Sequence, residues 1–409
     1  MTLSGPVSME TLPDHVSQDM VRPFPFPDGR TTNDNPFTTI IPDVVDGPAA
    51  FYTLDGYHGM APMWVFRRYD DMQAIYLDTE HFSNKGFAPH SELVNGTWHL
   101  VPAESDPPDH QFHRGLVNPL FTPKKMAALD GHVRQTARAI IQRFKDKGQC
   151  DFVTDLALEF PITVFLELMG WPASDRKQYL AWENQLIHPT SIEDMRQGTA
   201  DVIQFLRDMI GERRKKPGED FISYGINAER DGRKLTEDEL LGFCFNLFIG
   251  GLDTVSTNMG WQARHLAENP EQQHFLRTNP DRIPKAVEEL LRRYAAVTTA
   301  RRCIKDVTVS GIQLRAGDVV AMSTPLGNND PDQFEDPFTV KLDRNPRHIS
   351  FAYGIHFCVG SPLARRELII SIEELLRALP EFSLRQGIAI ESKVSSIIQM
   401  SNLPLEWYT

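Results

Sequence analysis

The sequence predicts a mainly α-helical chain with a small β portion, an α+β arrangement. Three observations predict it. Helical periodicity dominates from about residue 122 to 300, the period changes to alternation over 304–322, and no low-complexity tract or convincing linker interrupts the chain. The chain has 409 residues, more than one core usually fills, so length by itself would suggest two or three domains. Only the order of motifs can argue for one.

Residues 1–50 hold many Pro, Gly, Asp and Thr and no helical period, which predicts an irregular arm. Residues 62–78 supply a strand, Met63 to Arg67, and then a helix. The helical region that follows breaks at Gly170–Pro172, Pro189 and Lys216–Gly218. Over 304–322, Val307 and Val309, Ile312 and Leu314, then Val319 and Ala321 alternate around Gly311 and Gly317, as short strands joined by turns do. A helix returns over 361–378, and the tail from 382 to 409 reads as short strands. The β-rich parts are therefore expected near 62–68, 304–322 and 382–409.

A formal net charge of −13 argues against general affinity for nucleic acid or anionic membrane. Met1 to Arg30 has no apolar core long enough for a signal peptide or anchor. The most apolar run, Leu240 to Leu252, is too short to span a bilayer and contains Asn246. Cys150, Cys244, Cys303 and Cys358 lack the spacing of a metal finger or disulfide framework. Together these predict a cytoplasmic protein with reduced thiols and no membrane anchor.

Thr236 and Glu239 form a capping-box pair at the head of an apolar run. Periodicity continues to about Leu266, roughly 45 Å of helix at 1.5 Å per residue. Gly250-Gly251-Leu252-Asp253-Thr254 lies in its middle. Two glycines weaken the helix by about 1–2 kcal/mol relative to alanine, and Asp and Thr beside them compete for backbone hydrogen bonds. Two readings stay open: a packing notch for a crossing helix, or a groove where a small ligand meets a hydroxyl and an acid.

The sharpest signal is Phe351-Ala352-Tyr353-Gly354-Ile355-His356-Phe357-Cys358-Val359-Gly360. Glycines bracket the cysteine, so the backbone can turn tightly around its sulfur. Gly360, Ser361 and Pro362 lead into a helix whose N-terminal N–H groups favour thiolate. His356 stands ready to donate to an anionic cofactor group. A packing cysteine needs none of these neighbours.

The Phe-x-x-Gly-x-His-x-Cys-x-Gly pattern resembles the haem-binding loop of the cytochrome P-450 superfamily. Gly250 to Thr254 resembles that family's oxygen-activating central helix, and Glu289-Leu290-Leu291-Arg292 its Glu-x-x-Arg pair. The three occur in the family's order, and the resemblance covers nearly the whole chain. Asp106-Pro107-Pro108, Gly148-Gln149-Cys150, Glu288 to Arg293 and Ala364-Arg365-Arg366-Glu367 resemble the bacterial camphor-hydroxylase group more closely still.

The resemblance implies one domain over residues 1–409 with the triangular-prism fold, and a haem b between the long helix and the cysteine loop. Cys358 would be the axial ligand, beside Gly360. Arg114, Arg301 and His356 would hold the propionates. Asp253 and Thr254 would relay protons to dioxygen, and Arg344 would join the structural pair Glu289 and Arg292. Where the camphor hydroxylase uses a tyrosine to bind its ketone, this chain places Trp98. Asn246 replaces an aliphatic residue, and Ala103, Leu247, Gly250, Val297 and Ile397 complete the expected pocket. These changes point away from camphor, toward a terpenoid ketone of ionone type. The implied partners are O₂ and a 2Fe–2S ferredoxin with its reductase, docking near Arg114 on a monomer. A peroxide-driven haem-thiolate enzyme is the nearest alternative, disfavoured by Asp253 and Thr254. A non-catalytic haem sensor or carrier is the other, disfavoured because no output segment is left over.

Overall fold

A computed structural model describes residues 12–24, 30–54, 56 and 62–408. Helices form most of the body. Helices end at Met169, Ile187 and Lys215, where the sequence carries its breaks. Gly170 closes the first of these in the left-handed region, at φ 66°.

The largest sheet has five strands in the order Ala50–Thr53, Met63–Phe66, Val319–Ser323, Thr298–Cys303, Phe82–Ser83. Met63–Phe66 runs parallel to Val319–Ser323, with Val65 opposite Ala321. Every residue of these two strands is buried, which explains their unbroken apolar runs. Ser310 and Gly311, both at positive φ, join Val307–Val309 to Ile312–Leu314 in a two-residue turn. The tail contributes Ser392–Val394 and Ile398–Met400 to one small sheet and Phe382–Leu384 and Pro404–Trp407 to another.

The expected irregular arm needs correction. Its residues 1–11 and 25–29 lie outside the described ones, but Arg30–Thr32 is a strand and Ile40–Val45 a helix. Phe37, Ile41 and Val45 recur every four residues and are all buried. Phe37 packs edge-on against Trp261 at 4.8 Å and Tyr294 at 5.2 Å. So short a helix, with Pro42 inside it, offers too few turns for its period to show in sequence.

The long central helix is two helices, Glu237–Leu252 and Thr254–Glu268, with Asp253 at the joint (φ −108°, ψ −38°). The Thr236–Glu239 capping box starts it. The stretch 237–268 is long and apolar enough to cross a bilayer, yet it lies mostly buried within the protein. The two glycines divide the two readings between them. A Cβ on Gly251 would fall 2.4 Å from the Phe165 ring, so Gly251 is a packing notch. A Cβ on Gly250 would meet nothing within 4 Å, so Gly250 borders open space.

Glu289 and Arg292 are fully buried and doubly hydrogen-bonded at 2.8 Å. Arg344 Nε adds a contact to Glu289 Oε1 at 3.1 Å. Arg292 also donates to the carbonyls of Asn328 and Pro337, which fastens its helix, Ile283–Arg293, to the long loop before the cysteine. One residue earlier, Glu288 receives Arg365 from the helix after the cysteine and His348 from that loop. Burial would raise the Glu288 carboxyl, but those two partners hold it down at about 2. The cysteine loop is thus clamped from both sides.

Candidate functional site

Cys358 ends a loop whose path is set by backbone bonds. Its N–H donates to Phe351 O at 2.9 Å, and Phe357 N donates to Gly354 O at 3.1 Å. Gly354 sits at φ 69°, and a Cβ there would come 2.6 Å from the Tyr76 carbonyl oxygen. Only glycine satisfies both demands. The helix Ser361–Ala378 begins directly after Gly360, with Pro362 in its first turn.

Protein surrounds the Cys358 thiol, yet it is open to a cavity of about 330 Å³. Cys358 and Gly360 line that cavity from the loop; Asn246, Leu247, Gly250, Gly251 and Thr254 line it from the central helix. Val297 and Thr299 border it as well, and its surface is predominantly apolar. The helix start does not by itself make a thiolate here. Burial pushes the thiol up, and the N–H groups of Gly360 and Ser361 with Arg114 only partly offset this.

Beside the loop lies a cluster of basic groups. The His356 and His110 rings are 4.5 Å apart. Burial, then Arg301, His110 and Arg114, push His356 down to about 2. Burial and Arg114 push His110 down to about 4. Burial also lowers Arg114 and Arg301, the latter stacked over the Tyr76 ring at 5.2 Å. His110 Nε2 is buried without a hydrogen-bond partner. Such a cluster would be relieved by anionic groups placed among it. His110 escaped the sequence reading, although it stands one helical turn before Arg114 on Asp109–Val117.

The structure separates the expected pocket residues. Asn246, Leu247, Gly250 and Val297 line the cavity; Trp98, Ala103 and Ile397 are not among its described lining residues. Trp98 is buried with its indole 4.7 Å from the Phe245 ring, on a neighbouring face of the central helix. Positions 246, 247, 250, 251 and 254 share one helical face, and Phe245 falls beside it. Ala103 gives its carbonyl to Asn84 Nδ2, and Ile397 pairs with Val297 behind the cavity edge. Asp253 and Thr254 also part company. Thr254 lines the cavity, whereas Asp253 does not; its carboxylate instead meets His188 and Gln399.

A family model of cytochrome P450 matches residues 162–393, more than half of the chain. A protein of Sinorhizobium fredii named probable cytochrome P450 127A1 is 35% identical, over 98% of each chain. The chain belongs to the cytochrome P450 family. The solved structure of cytochrome P450 CYP101C1 superposes with a TM-score of 0.85 at 32% identity, covering 97% of this chain and 100% of that one. The Bacillus subtilis polyketide-synthase cytochrome P450 PksS gives a TM-score of 0.82 at 31% identity, over 92% of this chain and 97% of that one.

The protein is therefore a P450 monooxygenase that binds haem b, and its reaction uses a substrate, O₂ and a redox partner. In this family a cysteine thiolate holds the iron. The residues present fit the group. An accessible thiol and a basic cluster with an orphaned imidazole nitrogen border or adjoin the cavity, which offers an apolar wall for a flat macrocycle.

Proposed function

We propose that Cys358 is the iron ligand and that the enzyme hydroxylates an unactivated C–H bond of a small apolar, terpenoid or norisoprenoid-like substrate. The single observation that supports this best is one cavity shared by the cysteine loop and the Gly250–Thr254 face. Bound haem supplies dioxygen activation and the redox step. The chain's own residues bind, orient and deliver protons. Arg114, Arg301, His356 and His110 would hold the two carboxylates of the macrocycle. Gly250 leaves open space at the cavity wall, and the apolar lining excludes water. The Thr254 hydroxyl stands at that wall as the last proton donor, with Asp253 as its supply. Electrons would come from a 2Fe–2S ferredoxin docked near Arg114, to a monomer in the cytoplasm.

Thr254→Ala is expected to keep consuming reductant while yielding peroxide in place of alcohol. Product formed per electron pair should drop about a hundredfold, the lower end for loss of a positioned proton donor. Peroxide and alcohol assays on one sample check this; unchanged coupling would show that another group delivers the proton.

Asn246 is the polar group suited to a substrate ketone, because its amide can donate into a mostly apolar space. β-Ionone added to the purified ferric protein should shift the optical spin-state bands, and Asn246→Leu should bind it roughly tenfold more weakly. Tighter binding of camphor than of β-ionone would overturn the ionone-type assignment.

A further inference from the structure

Asp253 leaves the cavity wall to Thr254 and turns its carboxylate into the protein, where two further metal-ligating groups meet it. Glu183 comes from the helix Arg176–Ile187, and His188 directly follows that helix. One ligand atom from each of Glu183, His188 and Asp253 lies within 4.8 Å of the other two. Among the described residues, no other three His, Cys, Asp or Glu side chains converge so closely. Glu183, His188 and Asp253 are 6%, 3% and 1% exposed, so this is no solvated patch of acids on a surface.

The spacing fits a small cation. His188 Nε2 stands 3.1 Å from Asp253 Oδ2. Two ligands about 2.0 Å from a tetrahedral zinc ion stand about 3.3 Å apart, so an ion can replace their shared proton with little movement. Glu183 Oε1 is buried without a hydrogen-bond partner, an oxygen short of a donor or a cation. Gln399 Nε2 donates to Asp253 Oδ1 and so fixes the carboxylate, as the outer partner of a metal ligand does. One imidazole with two carboxylates suits zinc and its first-row neighbours, whereas Mg²⁺ and Ca²⁺ prefer oxygen alone. Two features make binding reversible. His188 Nδ1 is buried without the second hydrogen bond that a permanent metal ligand usually has. Lys393 donates to the His188 carbonyl at 3.2 Å and acts electrostatically on both acids, so its ammonium competes with the ion.

We propose that Glu183, His188 and Asp253 form a site for a zinc-class divalent cation, completed by water, and that the occupied site inhibits the enzyme. The ion takes the Asp253 carboxylate and releases to solvent the proton held between Nε2 and Oδ2. Asp253 then no longer serves Thr254, the next residue, which lines the cavity. The ion also ties the helix Arg176–Ile187 to the joint of the central helix. The inhibition rests on the monooxygenase reading above; the metal site does not.

The test uses the haem-loaded protein, so that Cys358 is not free for zinc. Equilibrium dialysis against Zn²⁺ should find a site that Glu183→Gln and His188→Gln each weaken about a hundredfold or more, since losing even an outer partner costs about tenfold to a hundredfold. Zinc-edge X-ray absorption should show nitrogen and oxygen at about 2.0–2.2 Å and no sulfur. Lys393→Met, which removes the competing charge and no ligand, should bind zinc about tenfold more tightly or better. Wild-type zinc affinity in both glutamine variants, a sulfur shell, or an unchanged affinity in Lys393→Met overturns the site. Saturating zinc should lower ferredoxin-driven turnover of the wild type about a hundredfold and leave His188→Gln at its own zinc-free rate. Zinc seated on the three residues with turnover unchanged overturns the inhibition. Zinc binding that needs Glu183 and His188, in a protein that makes no product even without zinc, would instead count against the monooxygenase reading and uphold the site.

Discussion

Cys358→His yields a protein that still takes up some haem but has lost oxygenation by more than about a hundredfold, beyond the usual cost of disturbing a group one shell further out. A thiolate pushes electron density onto the iron and favours O–O cleavage, and a neutral imidazole pushes less. The loop itself should survive the change, because its path depends on the backbone bond from residue 358 to Phe351 O and on Gly354 against the Tyr76 carbonyl. The optical spectrum of the reduced carbon-monoxide complex checks the ligand, and product analysis checks the chemistry. A thiolate-type spectrum or normal hydroxylation in this variant would remove Cys358 from the role proposed for it.

What the sequence reveals of this protein is what can be written in a few consecutive residues. The capping box at Thr236, the glycine pair, the cysteine loop and the Glu289–Arg292 spacing are all local, and each has a backbone or one-turn reason to exist. Even there the reading was incomplete. Gly250 and Gly251 look equivalent in sequence, and only the Phe165 ring tells them apart. His110 stays hidden although it stands one turn from Arg114, because a lone histidine on a helix gives no hint of the His356 ring it meets.

Contacts between distant segments account for the rest. Asp253 finds His188 65 positions earlier and Gln399 146 positions later. No local pattern encodes that meeting, so the acid was expected in the cavity beside Thr254. Trp98 lies outside the cavity's described lining for a related reason. Its position along the chain suggested the pocket, but the rotation of the central helix decides which face an indole from another segment can reach, and Phe245 takes it.

Arg292→Leu should unfold far more easily than the wild type, by about 3–5 kcal/mol, because it leaves a buried carboxylate short of its main partner. Glu289 and Arg292 both have no exposed side-chain surface, so water cannot replace what is lost. The carbonyls of Asn328 and Pro337 would lose their donor at the same time. Arg344 cannot compensate, since it reaches Glu289 through one nitrogen at the edge of the site. Arg344→Leu should therefore cost less. Adding Glu289→Leu to Arg292→Leu should cost little more than Arg292→Leu alone, because the second change removes the charge the first had stranded. The loop held by Arg292 leads through Ser350, whose hydroxyl donates to the Leu291 carbonyl, to the cysteine segment itself. Haem retention should accordingly fall together with the urea midpoint. An unfolding free energy within about 0.5 kcal/mol of wild type would mean that this buried pair does not hold the frame.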